Sequence, residues 1–166
     1  FDCERRLASW GNHIVWLDED ILRKLGDEFE IRLLRKAFER EPSNFDVAFR
    51  LSNLLSATGR YEESLQLDLR LVEMAPENPV VWYNLACSYA LLGRKGDAFE
   101  ALEKAIQLGW TDAAFMLADK DLASLRDENR FRQLVRECLR KQSQQGGQRQ
   151  IEGERPETEP DKKQEE

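Results

Sequence analysis

Apolar residues recur along residues 45–112 at the three-and-four spacing of amphipathic helices, and the same set returns after 34 residues. In PVVWYNLACSYALLGRKGDAFEALEKAIQLGWTD, which starts at Pro79, the residues Trp82, Leu85, Ala86 and Tyr89 mark one helix. Ala98, Leu102 and Ala105 mark a second, with Gly93 between the two. The preceding FDVAFRLSNLLSATGRYEESLQLDLRLVEMAPEN starts at Phe45 and sets Leu51, Leu55, Gly59 and Leu71 in register with Leu85, Tyr89, Gly93 and Ala105. Gly59 and Gly93 fall where a helix end favours a left-handed residue. Pro76 ends a helix because it has no N–H to continue the ladder.

The same period, carried towards the N-terminus, covers residues 11–44. Leu17, Ala37 and Pro42 hold the register, while Gly26 comes one position late. This segment reads as a degenerate first helix pair, and residues 1–10 as a short helical lead-in with Leu7 and Trp10 facing inward. After Asp112 the period breaks. AAFMLADKDLASLRDENRFRQLVRECLRK predicts a short helix, a turn through Asp119–Asp121 and a final helix near Glu128–Arg140, with Asp127 as its N-cap. Phe131, Leu134, Val135, Cys138 and Leu139 give that helix one apolar stripe. From Lys141 the chain turns to Gln, Gly, Glu, Lys and Pro, and residues 141–166 read as a disordered polar tail.

The Trp82, Leu85, Tyr89, Gly93, Ala98 series resembles the tetratricopeptide-repeat (TPR) pattern W-x2-L-G-x2-Y…A-x3-F…P. Ala86 stands for the Gly, Leu102 for the Phe and Trp110 for the Pro. The Leu108–Gly109 turn before an Asp-x-Asp-Leu run is similar to the closing half-repeat of bacterial TPR proteins. The resemblance covers residues 11–140 and implies an all-α fold: a right-handed α-solenoid of about three TPR helix pairs plus a capping helix. Its units are 11–44, 45–78, 79–112 and a closing segment 113–140. Within a unit, an A helix meets a B helix: Trp82, Leu85, Ala86 and Tyr89 against Ala98, Leu102 and Ala105. Ala48 in place of Trp and Asp68 in place of a large residue imply a looser contact in the preceding unit.

A helix pair of this kind cannot bury its own apolar face, so neighbours stack and the stack curves into a concave groove. The resemblance assigns that groove to A-helix residues: Val15 and Glu19, then Asp46, Phe49, Arg50 and Asn53, with Ser56 beyond, then Val80, Tyr83, Asn84 and Cys87, with Ala90 beyond. Aromatic anchors beside Arg and Asn suit peptide recognition. One TPR subclass clamps the terminal carboxylate of chaperone tails. Asn53 and Asn84 match that clamp, but Phe49, Ala114 and Ala118 replace its cations, so clamp-type binding is not expected.

Composition narrows the chemistry. The net charge of −7 argues against a nucleic-acid partner. No apolar run approaches the roughly 20 residues that span a bilayer, so no direct membrane insertion is expected. Cys3, Cys87 and Cys138 are odd in number and widely spaced, which reads as free thiols and argues against a disulfide framework or zinc site. His13 is the only histidine and has no ligand-like cluster around it. Arg32, Arg35, Lys36 and Arg40 form a basic stripe, and Asp18, Glu19 and Asp20 an acidic one, both read as solvated faces.

No catalytic residue, metal or cofactor is expected, and the chain reads as a non-enzymatic adaptor or scaffold whose groove takes a peptide or helix of another protein. The rival reading is an accessory region of a larger enzyme or assembly machine, which the Phe1 start leaves open. A third is a homo-oligomer, motivated by Trp10, Trp16 and Trp110 near the ends of the solenoid. The expected compartment is the cytoplasm, with periplasmic or membrane-tethered placement left open by the unseen native N-terminus.

Overall fold

The computed structural model describes residues 6–10 and 13–153, with side chains described for 18–144. A hairpin comes first: β1 (Arg6–Trp10) pairs antiparallel with β2 (His13–Leu17), Arg6 opposite Leu17 and Trp10 opposite His13. Seven helices follow: α1 (Glu19–Arg40), α2 (Phe45–Ala57), α3 (Tyr61–Met74), α4 (Pro79–Leu91), α5 (Lys95–Gln107), α6 (Ala113–Ala118) and α7 (Asn129–Gly153). A 3-10 helix over Lys120–Leu125 joins α6 to α7. Pairs α2/α3 and α4/α5 are the two regular repeats of a helical solenoid.

The helix ends follow from local chemistry. Asn44 and Asn78 cap α2 and α4, each side-chain oxygen accepting a backbone N–H of the first turn, Val47 at 3.2 Å and Val80 at 3.0 Å. Pro79 opens α4, where its missing N–H costs nothing. At the other end, Gly59 and Gly93 have φ of 80° and 73°. Arg60 and Arg94 then return their N–H to Leu55 and Tyr89, and the glycines return theirs to Ser56 and Ala90, the doubled bond of the Schellman motif. Gly109, at φ 107°, repeats the device after α5.

The main core lies where α4, α5, the 3-10 helix and α7 meet. Leu102, Ala105, Met116, Leu122, Leu125 and Cys138 are fully buried there, and Phe131 is nearly so. Small residues at the crossing, Ala86 against Ala98 and Ala105, let α4 and α5 approach closely. A second cluster, Ile31, Leu51, Leu55 and Leu67, attaches α1 to α2 and α3.

Four expectations are corrected. Residues Arg6–Trp10 are a strand rather than part of a helical lead-in; HIVWL, which pairs with them, is rich in β-forming residues, and Gly11–Asn12 between the two is a composition that two-residue hairpin connections favour. The segment 11–44 holds no helix pair: it contributes β2 and one 22-residue helix, α1, capped by Asp18 through the Asp20 N–H at 2.8 Å. The inward placement expected of Leu7 and Trp10 lies outside the described side chains. The last helix does not end near Arg140. Its Gln-rich continuation holds good helix formers around Gly146 and Gly147, which are poor ones, and elongation of a formed helix is easier than nucleation, so α7 runs to Gly153. Lys141 anchors that continuation by donating to the Ile106 carbonyl at 2.7 Å. The final tail, 154–166, lies outside the described residues. At the start of α7, Glu128 rather than Asp127 accepts the first backbone bond, from Arg132.

Candidate functional site

A pocket of about 350 Å³ opens between α2, α4 and the α6/3-10 segment. Helical spacing sets its walls. Asn53, Ser56 and Ala57 come from α2, Tyr83, Asn84, Cys87 and Ser88 from α4, and Phe115, Asp119 and Asp121 from the closing segment. Ser64 and Asp68 of α3 complete it. Among the described residues, three carboxylates line this pocket and no basic side chain does.

Asp68 lies at the buried end. Its carboxylate accepts from Ser52 Oγ and from Ser88 Oγ, the latter at 2.5 Å, and Ser64 Oγ lies 3.0 Å from Ser52 Oγ. The network ties α2, α3 and α4 together through four buried polar residues. Asp68 therefore does not loosen its repeat, as its departure from the TPR pattern implied; serines at matching heights on the facing helices make it a tie. Burial pushes the Asp68 carboxyl above its ordinary value, and the two serine hydroxyls pull it part of the way back.

A second network forms the opposite wall. Asp119 Oδ2 accepts from the Tyr83 hydroxyl at 2.8 Å and from the Cys87 thiol at 3.5 Å, while its Oδ1 caps Asp121 N–H at 3.0 Å. Arg126 holds the Asp119 carbonyl at 2.7 Å. The Tyr83 ring stacks on Trp110 with centroids 4.1 Å apart, and Phe115 tilts against both. Burial, then the negative charge of Asp119 and Asp121, drive the Cys87 thiol well up. Asp121 is also raised, by burial and then by Asp119. Tyr83 is raised by burial first. The ligand atoms of Cys87, Asp119 and Asp121 lie within 4.8 Å of one another. These three could hold a cation, although a thiol held protonated binds metal poorly, and hydrogen bonds within the protein already account for the grouping.

The ten groove residues read from the sequence separate into groups. Asn53, Tyr83, Asn84 and Cys87 line this pocket. Asn84 Nδ2 donates to Asn53 Oδ1 at 3.1 Å, linking α4 to α2 across the rim. Tyr83 and Cys87 are 2% and 8% exposed, so they shape the wall more than they meet a ligand. Phe49 is half-buried and stacks on Phe45 at 5.8 Å. Arg50 is taken by Glu30 at 2.6 Å, and Asp46 and Val80 are exposed at the first turns of α2 and α4, outside the pocket. Glu19 opens α1, exposed and away from the pocket. The Val15 side chain, on β2, lies outside the described residues. Sequence reasoning missed Asp68, Asp119, Asp121 and Phe115. The Ser52, Ser64 and Ser88 set at helical heights was a usable signal for the first, while the closing segment follows no repeat register.

A family model for the tetratricopeptide repeat matches residues 79–109, the α4/α5 pair. The α4/α5 pair is a tetratricopeptide repeat. Among curated proteins it is similar to a chloroplastic protein of Arabidopsis thaliana, 33% identical over 85 residues. That match covers 49% of this chain and 25% of that protein, so the chain spans about a quarter of the relative's length. Among solved structures it is similar to a MamA RS-1 ArsTM double mutant, with TM-score 0.60 and 18% identity, covering 77% of this chain and 73% of that one. MamA 41-end from Desulfovibrio magneticus RS-1 gives TM-score 0.59 at 18% identity, covering 78% and 72%. These structures share the fold. Among the described residues, no helix is long and apolar enough to cross a membrane.

Proposed function

We propose that the chain is a protein-interaction scaffold that holds a segment of a partner polypeptide along α2, α4 and α6, and that the pocket takes a basic side chain of that segment. The observation that carries this reading is the acid-lined pocket beneath the Asn53–Asn84 pair: Asp68, Asp119 and Asp121 bring negative charge to a concave surface that no cation among the described residues lines. Side-chain amides at the rim can bond the partner's peptide groups, and the exposed Phe115 offers an apolar contact. Catalysis is not part of the proposal, because the Cys87 thiol is buried and held protonated, which makes it a poor nucleophile. The match to a quarter of a longer relative supports a second reading, in which the same groove serves as the docking region of a larger protein.

The test compares partner capture from source-cell extract by the wild-type chain and by Asn53→Ala/Phe115→Ala, both positions exposed. The captured segment is then synthesised with each Lys and Arg changed in turn to Gln. The reading expects loss of capture by the variant and at least tenfold weaker binding for one Lys or Arg position, with affinity falling as salt rises. Binding indifferent to the variant and to every basic position of the segment would refute it.

A further inference from the structure

Helix α1 is apolar on two opposite faces. Ile31, Leu34 and Phe38 face α2 and α3. Ile21, Leu22, Leu25, Phe29 and Leu33 lie roughly 180° around the helix at 100° per residue, and they are 53%, 40%, 61%, 61% and 58% exposed. A soluble helix with two apolar faces needs a neighbour on both. We infer that this second face pairs with the α1 of a second copy of the chain, antiparallel, about a two-fold axis level with residue 27.

Three observations select a second copy in that orientation. The first is charge. On the outward face the apolar stretch is preceded by Asp18 and followed by Arg32, Lys36 and Arg40. Antiparallel pairing about residue 27 lays Leu25 against Phe29, Ile21 against Leu33, and Asp18 against Lys36. It therefore brings the acidic end of each helix to the basic end of the other, and it also opposes the two helix dipoles. Parallel pairing would stack like charge on like. The second is area. The five side chains expose about 500 Å² per copy, so mutual burial reaches roughly 1,000 Å², the lower bound for a specific interface. The third is Gly26, exposed at the edge of the stripe with no atom within 4 Å of where its Cβ would stand. A glycine inside a helix costs roughly 0.5–1 kcal/mol relative to alanine, and here it clears room for close approach of a neighbouring helix at the level of the axis.

Sedimentation of the whole chain across a range of concentrations tests the pairing. The expected result is a mass that rises with concentration from one copy to two, and a Leu25→Glu/Phe29→Glu variant that keeps its helical content but stays at one copy. Asn53→Ala/Phe115→Ala, at the exposed rim of the pocket, is expected to dimerise as the wild type does, which separates this surface from the groove. Spin labels at Lys24→Cys or Arg40→Cys, in a Cys3→Ser background, then read the orientation. At 1.5 Å of rise per residue, antiparallel pairing sets the Arg40 labels about 40 Å apart along the axis and the Lys24 labels about 9 Å apart, whereas parallel pairing makes the two distances alike. A chain that stays a single copy at all concentrations, a dimer that survives Leu25→Glu/Phe29→Glu, or equal label distances would each overturn the inference.

Discussion

Replacing Asp68 by Asn leaves the size of the side chain almost unchanged but removes its charge, so it isolates the cost of ionising a buried carboxyl. Asp68 is 1% exposed, and its donors are the hydroxyls of Ser52 and Ser88. Neither carries charge, and no cation among the described residues lines the pocket, so the carboxylate has hydrogen bonds to offset its burial. Burial is the larger effect, and the folded-state value stands above the ordinary 3.8. The sign follows directly. A carboxyl that is harder to ionise when folded contributes its stability in full below the unfolded value, near 3.8, and loses it as pH rises through the raised folded value. Over that window wild type should lose stability relative to Asp68→Asn by at most about 1.4 kcal/mol per pH unit, the limit for one proton. Above the raised value the difference becomes constant. The assay is urea unfolding of both proteins at half-unit steps from pH 3.5 to 7.5, taking the difference at each pH so that carboxylates common to both cancel. A difference that stays flat would mean that the serine hydroxyls balance burial, and one that moves in favour of wild type as pH rises would mean that they outweigh it; either would make the account of this site wrong.

Two further outcomes test the core and the turns. Leu102→Ala, at a fully buried position between α4, α5 and the closing segment, should cost about 2–5 kcal/mol by urea unfolding; a cost under about 1 kcal/mol would show that the closing segment collapses into the space. Gly93→Ala meets no atom, so only its backbone at φ 73° is strained. It should cost about 1–2 kcal/mol and lower the Tm by about 3–6 °C in a scanning calorimeter, and an unchanged Tm would mean that the α4–α5 turn relaxes out of the left-handed region.

The two regular repeats were legible because each of their features has a local cause. Gly59 and Gly93 mark the turns by their φ, Asn44 and Asn78 mark the starts by capping, and the spacing of Leu51, Leu55, Leu85 and Ala86 marks the buried faces. Residues 6–40 were not legible in the same way. There the repeat register was carried by Leu17, Ala37 and Pro42 alone, too few positions to outweigh the β-forming composition of HIVWL or the long run after Asp18, helix-forming but for Gly26. Part of the pocket was hidden for another reason. Its charge comes from residues distant in sequence, with Tyr83 and Asp119 meeting across 36 positions. No periodic reading connects a repeat to the irregular segment that closes it. Trp110, read as an exposed contact for self-association, is instead half-buried against Tyr83.

The departures from the repeat pattern are where this chain becomes particular. A regular repeat places a large apolar residue between its own two helices. With Asp68 and three serines at that layer, α2, α3 and α4 are held by directional bonds, which fix their relative heights more narrowly than apolar packing does. On the other side, Asp119 holds Tyr83 and Cys87 of α4 while Arg126 holds the Asp119 backbone, so the irregular closing segment is fastened to the best-formed helix of the solenoid. The pocket lies between these two networks. Their geometry sets its width, and their carboxylates set its charge. A partner's cation entering there would be met by groups that the fold already holds in place, so little ordering cost would fall on the scaffold side of the complex.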